Sequence, residues 1–194
     1  ENAQTATVAE LANVTSSPTQ DDSSPASGAI HFTDIDLTDR PTATFTQTVT
    51  WTGSAALTGG EQSALEGAFH LPSITNTNNG EIDWTYSITD SSLDFLGAGE
   101  TATVTSTITL NDHQGGHDTA TVTVTVSGAN DVPTITATGG GLTELPNVTG
   151  NGATDTATGT ITFTDADVTD QPTVSTSFVS FDYKDAAGDE LTLT

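Results

Sequence analysis

Apolar and polar residues alternate along most of this chain with a period of two. In "TATVTSTITL" (Thr101–Leu110), Ala102, Val104, Ile108 and Leu110 share one face, and Thr101, Thr103, Thr105, Thr107 and Thr109 fill the other. The same even-numbered register covers Ala120, Val122, Val124 and Val126 in "TATVTVTV", and Trp84, Tyr86 and Ile88 in "DWTYSI". "TATFTQTVTW" follows an odd-numbered version, with Ala43, Phe45, Val49 and Trp51 facing inward. A strand turns successive side chains to opposite faces, so each segment predicts a half-buried antiparallel strand. Threonine suits the outer face because it is both β-branched and polar.

One segment departs from this period. "TGGEQSALEGAFHL" (Thr58–Leu71) places Leu65, Ala68 and Phe69 at helical spacing after a Gly-Gly turn, with Glu61 and Glu66 near a helix N-terminal half. It predicts a short helix packed over an open end of the sheets. In "NTNNGEI", Asn79-Gly80 predicts a tight turn leading into the next strand. The sum is about seven strands and one short helix in the first 130 or so residues, best accommodated by an all-β sandwich of two antiparallel sheets.

The chain then repeats itself. "GAIHFTDIDLTDRPT" from Gly28 aligns without gaps with "GTITFTDADVTDQPT" from Gly159, an interval of 131 residues. Upstream, "AELANVT" from Ala9 matches "TELPNVT" from Thr143. Residues 1–131 therefore read as one complete unit and 132–194 as the N-terminal part of a second, truncated one, joined through "GANDVPTI". Half a sandwich cannot bury both sheets. The expectation is a fragment of a longer tandem array, its second unit poorly ordered or completed by another chain.

Charge narrows the partners. The net charge is −24, from 26 acidic residues against Arg40 and Lys184 alone. Nucleic acid and anionic membranes are poor partners for such a chain, and cations are good ones. Cysteine is absent, which excludes disulfides, zinc ribbons and thiol catalysis. Residues 1–131 contain no lysine, which excludes a lysine–asparagine isopeptide crosslink there. No apolar run approaches the roughly 20 residues needed to span a bilayer. No signal peptide opens at Glu1, so any export signal is expected outside this sequence.

The acidic residues are clustered rather than dispersed. Asp34, Asp36 and Asp39 recur as Asp165, Asp167 and Asp170, each set just past a strand-like run. A D-x-D turn past a strand end can aim both carboxylates at one point, and calcium takes six to eight oxygens from such loops. Close carboxylates without a cation repel by about a kcal/mol or more per pair at an effective dielectric near 20. A divalent ion reverses that sign. The plainer alternative is a solvated acidic turn, since aspartate favours turns; recurrence in both copies favours calcium.

The stretch Leu93–Pro133, with "LDFLGAGE" and "SGANDVP", and the "FTDIDLTDRPTATF" block resemble the VCBS and cadherin-like repeats of very large secreted bacterial adhesins of the RTX class. The resemblance covers nearly all of the first unit and the visible part of the second. It implies Ig-like sandwich repeats, type I secretion to the extracellular space or bacterial cell surface, and stiffening by calcium between successive units. Carried over residue by residue, it implies Glu10, Asn130, Asp131, Asp165 and Asp167 as a clamp joining the units. Asp34, Asp36 and Asp39 would face a preceding unit, and Glu144 a following junction. Asp94 resembles the acid of the family's L-D-R-E stretch, but Phe95 and Leu96 replace its charged pair, which makes Asp94 and Glu100 weaker candidates. Gly128 and Val132 stand where cadherins carry further Asp or Asn, which implies fewer ions per junction. A site within one domain, built on the same D-x-D turn, is the competing geometry.

Other constellations point elsewhere only weakly. His113 and His117 flank "QGG" and suit a solvated hairpin tip better than a transition-metal site, and Asp112 and Asp118 in that loop offer a further calcium candidate. No Ser-His-Asp order, phosphate loop or basic aromatic groove is present, and the chain does not read as an enzyme. Trp51 and Trp84 fall on inward registers and read as core. Asn13 and Asn147 lie in N-x-T sequons, expected to be unmodified in a bacterium. The resulting expectation is a structural extender of an adhesin, projecting a binding head and supporting adhesion or biofilm. The competing expectation is a repeat that itself grips polysaccharide or a neighbouring adhesin copy.

Overall fold

The computed structural model describes residues 3–13, 25–73, 77–143, 152, 154, 156–184 and 187–188. β1 (Ala3–Ala9), β2 (Ala26–Thr33) and β3 (Thr42–Trp51) come first, followed by helix α1 (Gly59–Gly67). Then come β4 (Phe69–His70), β5 (Asn79–Tyr86), a 3-10 turn at Asp90–Ser92, β6 (Thr101–Asn111) and β7 (His117–Ser127). These strands form a four-stranded sheet in the order β1-β7-β6-β3 and a three-stranded sheet in the order β2-β5-β4. β8 (Thr134–Thr138) and β9 (Thr160–Thr164) pair with each other as a separate two-stranded sheet.

The expected alternation sets the core. Ala102, Val104 and Ile108 of β6, Val122, Val124 and Val126 of β7, and Trp84 and Tyr86 of β5 are all buried, and their odd-numbered neighbours face out. β3, at the sheet edge, is less well covered. Phe45 keeps 38% of its surface exposed while its ring meets Phe69 edge-on at 5.2 Å. Trp51 is half-buried rather than fully in the core, its indole N–H donating to the Ala55 carbonyl at 2.8 Å and its ring lying 5.5 Å from Phe95. An edge strand has a neighbour on one side only, so its inward side chains meet fewer atoms.

Three local expectations need correction. The sheets are not wholly antiparallel: β1 runs parallel to β7, from Ala3 opposite Thr121 to Ala9 opposite Ser127. A parallel pair needs a long connection, and here the rest of the sandwich supplies it. Asn79 and Gly80 do not form the tight turn; they open β5, opposite Thr33 and Phe32, and the bend falls at Thr77–Asn78. Thr77 Oγ1 fixes that bend by donating to the Asn79 carbonyl at 2.8 Å. Finally, α1 stops at Gly67, so Ala68 is its C-cap and Phe69 belongs to β4.

α1 is held from both ends. Thr58 Oγ1 accepts from the Glu61 N–H at 3.2 Å and the Glu61 carboxylate accepts from the Thr58 N–H at 2.7 Å, a reciprocal capping box. Leu65 is fully buried, and the Tyr86 hydroxyl donates to its carbonyl at 3.0 Å. Gln47 and Ser106, the polar residues that interrupt the inward registers of β3 and β6, stand opposite each other in the ladder. Gln47 Nε2 donates to the Glu66 carbonyl at 3.1 Å and to Ser106 Oγ at 3.3 Å, so a polar pair within the sandwich ties down the helix.

Candidate metal centre

β1 delivers the first ligand candidate. Its ladder continues one residue past Ala9, with the Glu10 N–H donating to the Ser127 carbonyl at 2.9 Å, which turns the Glu10 side chain inward at the end of the sandwich. The buried even-numbered positions of β5, Trp84 and Tyr86, continue past the strand's end through Ile88 to Asp90, the first residue of the 3-10 turn, which is 1% exposed. Sequence reasoning did not single out Asp90. The signal was available, because an acid occupies a register position that elsewhere holds apolar side chains. After the 3-10 turn comes Asp94, and the exit from β7 brings in Asp131, also buried.

Glu10, Asp94 and Asp131 each offer an oxygen within 4.8 Å of the others. Asp165, Asp167 and Asp170 form a second such group, and Asp34, Asp36 and Asp39 a third. The first two groups meet. The Asp131 N–H donates to Asp167 Oδ2 at 2.9 Å, and Gly97 packs against Asp167, Thr169 and Asp170. The repeated D-x-D loop of the second copy is thereby seated against the acidic end of the first. Asp94, the weaker candidate by sequence, stands among the grouped acids. Glu100 instead accepts from the Gly97 N–H at 3.1 Å, closing its own turn. Asn130 is exposed, with its carboxamide nitrogen donating to the Asp131 carbonyl at 2.8 Å. Glu144 lies outside the described residues.

Both copies fold the acidic loop alike, which is the local reason for the spacing. The Asp36 N–H donates to Asp34 Oδ1 at 2.9 Å, and the Asp167 N–H to Asp165 Oδ1 at 3.3 Å. The Asp39 and Asp170 N–H groups donate back to the carbonyls of Asp36 and Asp167 at 3.0 and 3.1 Å. The loop of the first copy lies by the β6–β7 hairpin, where Asp34, Asp36, Asp112 and Asp118 line one depression. That hairpin and the Glu10 cluster occupy opposite ends of β6, an 11-residue strand about 33 Å long at its usual rise. The first copy's loop therefore cannot share an ion with its own unit's Glu10.

The electrostatics mark the junction as short of positive charge. Burial pushes the Glu10 carboxyl up to about 8, opposed by the Ala129 N–H and reinforced by Asp131, Asp167 and Asp90. Burial likewise pushes Asp167 to about 6, opposed by the Asp131 N–H and reinforced by Asp170, Asp131 and Asp165. Glu10 Oε1 and Asp167 Oδ1 are buried with no hydrogen-bond partner among the described residues, and Asp90 Oδ2 is in the same state. Buried acceptors of this kind cost stability unless something pairs with them. Asp39 is raised too, by desolvation and then by Asp34, Asp36 and Asp112. Asp112 is lowered, chiefly by the Gln114 N–H. Arg40 donates to the carbonyls of Leu37 and Asp39, beside that loop, and Gln171 takes its place in the second copy. The clusters are acidic groupings that could hold a metal ion, and the donor set, all hard oxygens, suits calcium or magnesium rather than a thiolate-seeking metal.

Gly128 has no room for a side chain. A Cβ there would run into the Leu96 and Gly97 carbonyls, while the Gly128 N–H donates to the Glu100 carbonyl at 2.9 Å. No side-chain ligand fits at that position.

No protein-family model matches the chain, and no curated protein matches it. Among solved structures, the chain is similar to "Crystal Structure of the Periplasmic Chaperone SfaE", at 4% identity and a TM-score of 0.33, over 66% of this chain and 55% of that one.

Proposed function

We propose that this chain is a calcium-stiffened extender segment, built of Ig-like, cadherin-like repeats in tandem, from a large secreted or cell-surface adhesin. The observation that carries the reading is the contact between Asp131 and Asp167. It joins two carboxylate groups from successive copies and leaves Glu10 Oε1 and Asp167 Oδ1 buried without partners among the described residues. Glu10, Asp94 and Asp131 would hold the ion from one side, and Asp165, Asp167 and Asp170 from the other. Calcium is favoured over magnesium because it accepts six to eight oxygens in irregular geometry, whereas magnesium demands a near-ideal octahedron and keeps its waters. A bound ion would offset the mutual repulsion of these acids and remove hinge freedom between copies. The first copy's loop supports a serial arrangement as well. Ile35 and Leu37, 94% and 78% exposed, project beside Asp34 and Asp36 on the side away from the Glu10 cluster, where a preceding unit would stand.

Calorimetry, thermal melting and small-angle scattering of the full chain in calcium, magnesium and EDTA test the reading together. The expected outcome is saturable calcium binding that raises the melting temperature and lengthens the particle, with a smaller response to magnesium. Identical melting and scattering in calcium and EDTA would overturn it.

A further inference from the structure

A cleft of about 500 Å³ lies where the second copy's acidic loop meets the first copy. It is lined by Gly60 and Ala64 from α1, by Ser92 and Phe95 from the 3-10 turn and the chain just after it, and by Ala166 and Val168 from the loop. Ala166 and Val168 are interleaved with Asp165, Asp167 and Thr169, so the loop that brings carboxylates to the junction also turns two apolar side chains towards α1. The bond from the Asp131 N–H to Asp167 already seats that loop. Even so, Val168 keeps 50% of its surface exposed, and the cleft stays open.

The first copy carries a larger pair at the same positions. Ile35 aligns with Ala166 and Leu37 with Val168. The two loops are closed by the same backbone bonds, so Ile35 and Leu37 stand to Asp36 as Ala166 and Val168 stand to Asp167. Both larger residues are almost wholly exposed. Isolated apolar residues are ordinary on a protein surface. What distinguishes this pair is that its counterparts line a cleft on the neighbouring copy.

We infer that the cleft beside α1 is a socket for the apolar pair of the following repeat's acidic loop, and that Ile35 and Leu37 are the plug for the same socket on a preceding copy of this unit. The inference rests on the serial reading proposed above and names the surface through which a preceding unit meets this chain. Within the chain the plug is undersized, because Ala166 and Val168 leave the cleft unfilled. A preceding copy would receive isoleucine and leucine instead. Burying more apolar carbon tightens an interface without using charge, so side-chain size at these two positions sets how firmly each junction closes, apart from any ion.

The test transfers the plug. In the full chain, Ala166→Ile with Val168→Leu gives the second loop the apolar pair of the first. Amide hydrogen exchange at Asp131, whose N–H is bonded across the junction, is expected to slow about tenfold relative to the parent, in calcium and in EDTA alike. Adding Ala64→Gln fills the socket from the α1 side with a neutral, helix-compatible residue, and is expected to return the rate to that of the parent. Slowing in EDTA together with melting that ignores calcium would uphold the plug and remove the ion. Calcium-dependent melting with an unchanged Asp131 rate would do the reverse. No slowing, slowing confined to calcium, or slowing that survives Ala64→Gln would each overturn the inference.

Discussion

The backbone N–H of Asp131 donates to Oδ2 of Asp167 at 2.9 Å, across 36 residues of sequence, with both residues 2% exposed. One neutral donor does not balance the charge gathered there. Burial above all raises both carboxyls, and neighbouring acids add to it: Asp131, Asp167 and Asp90 at Glu10, and Asp170, Asp131 and Asp165 at Asp167.

Replacing Asp167 with Asn should therefore act in opposite directions with and without metal. In EDTA the variant is expected to melt at the same temperature as the parent or a few degrees above it, because a buried carboxylate charge is gone. In millimolar calcium it is expected to lose most of the ion-induced rise. Melting curves in both buffers check this, and a variant that responds to calcium as fully as the parent would remove Asp167 from the ligand set.

Acidity should stabilise the metal-free protein. Glu10 has an ordinary value of 4.5 and is raised to about 8, and Asp167 an ordinary value of 3.8 and is raised to about 6. A folded-state value above the unfolded one means the fold binds the proton more tightly. Its contribution is fully present below the unfolded value and is lost as pH climbs through the folded one. Urea midpoints in EDTA are expected to fall between pH 5 and pH 8.5, and calcium should flatten or invert that slope by competing for the same oxygens. A metal-free midpoint that rises over this range would contradict the buried-acid description.

Gly128→Ala should be poorly tolerated. Its Cβ would meet the Leu96 and Gly97 carbonyls, which are backbone and cannot swing aside, so a loss of about 1–3 kcal/mol is expected. Urea denaturation measures it. A neutral result would show that the β7 exit gives way more easily than this packing implies.

The helix should report separately from the metal site. Tyr86→Phe removes the hydroxyl that donates to the Leu65 carbonyl and should cost about 1 kcal/mol, and Leu65→Ala should cost about 2–5 kcal/mol by leaving a hole in the core. Neither change should alter the calcium stoichiometry seen by calorimetry. A stoichiometry that moved with Leu65 would tie α1 to the ion site.

Local chemistry fixed what the sequence determined by itself. A period of two in the apolar residues assigned β3, β5, β6 and β7 their inward faces, because a strand's side-chain direction follows from backbone geometry alone. The D-x-D-x-x-D spacing likewise encoded its own turn, since each loop is closed by bonds within six residues of chain. Long-range contact decided the rest. Only the assembled sheets could set β1 parallel to β7, leave Trp51 half-covered at an edge, bring Asp90 and Asp94 beside Glu10, and place the second copy's loop against the first copy's acidic end while keeping the first copy's loop at the far end of β6. Those relations join residues dozens of positions apart, and no local pattern of side chains specifies which distant strands will pair.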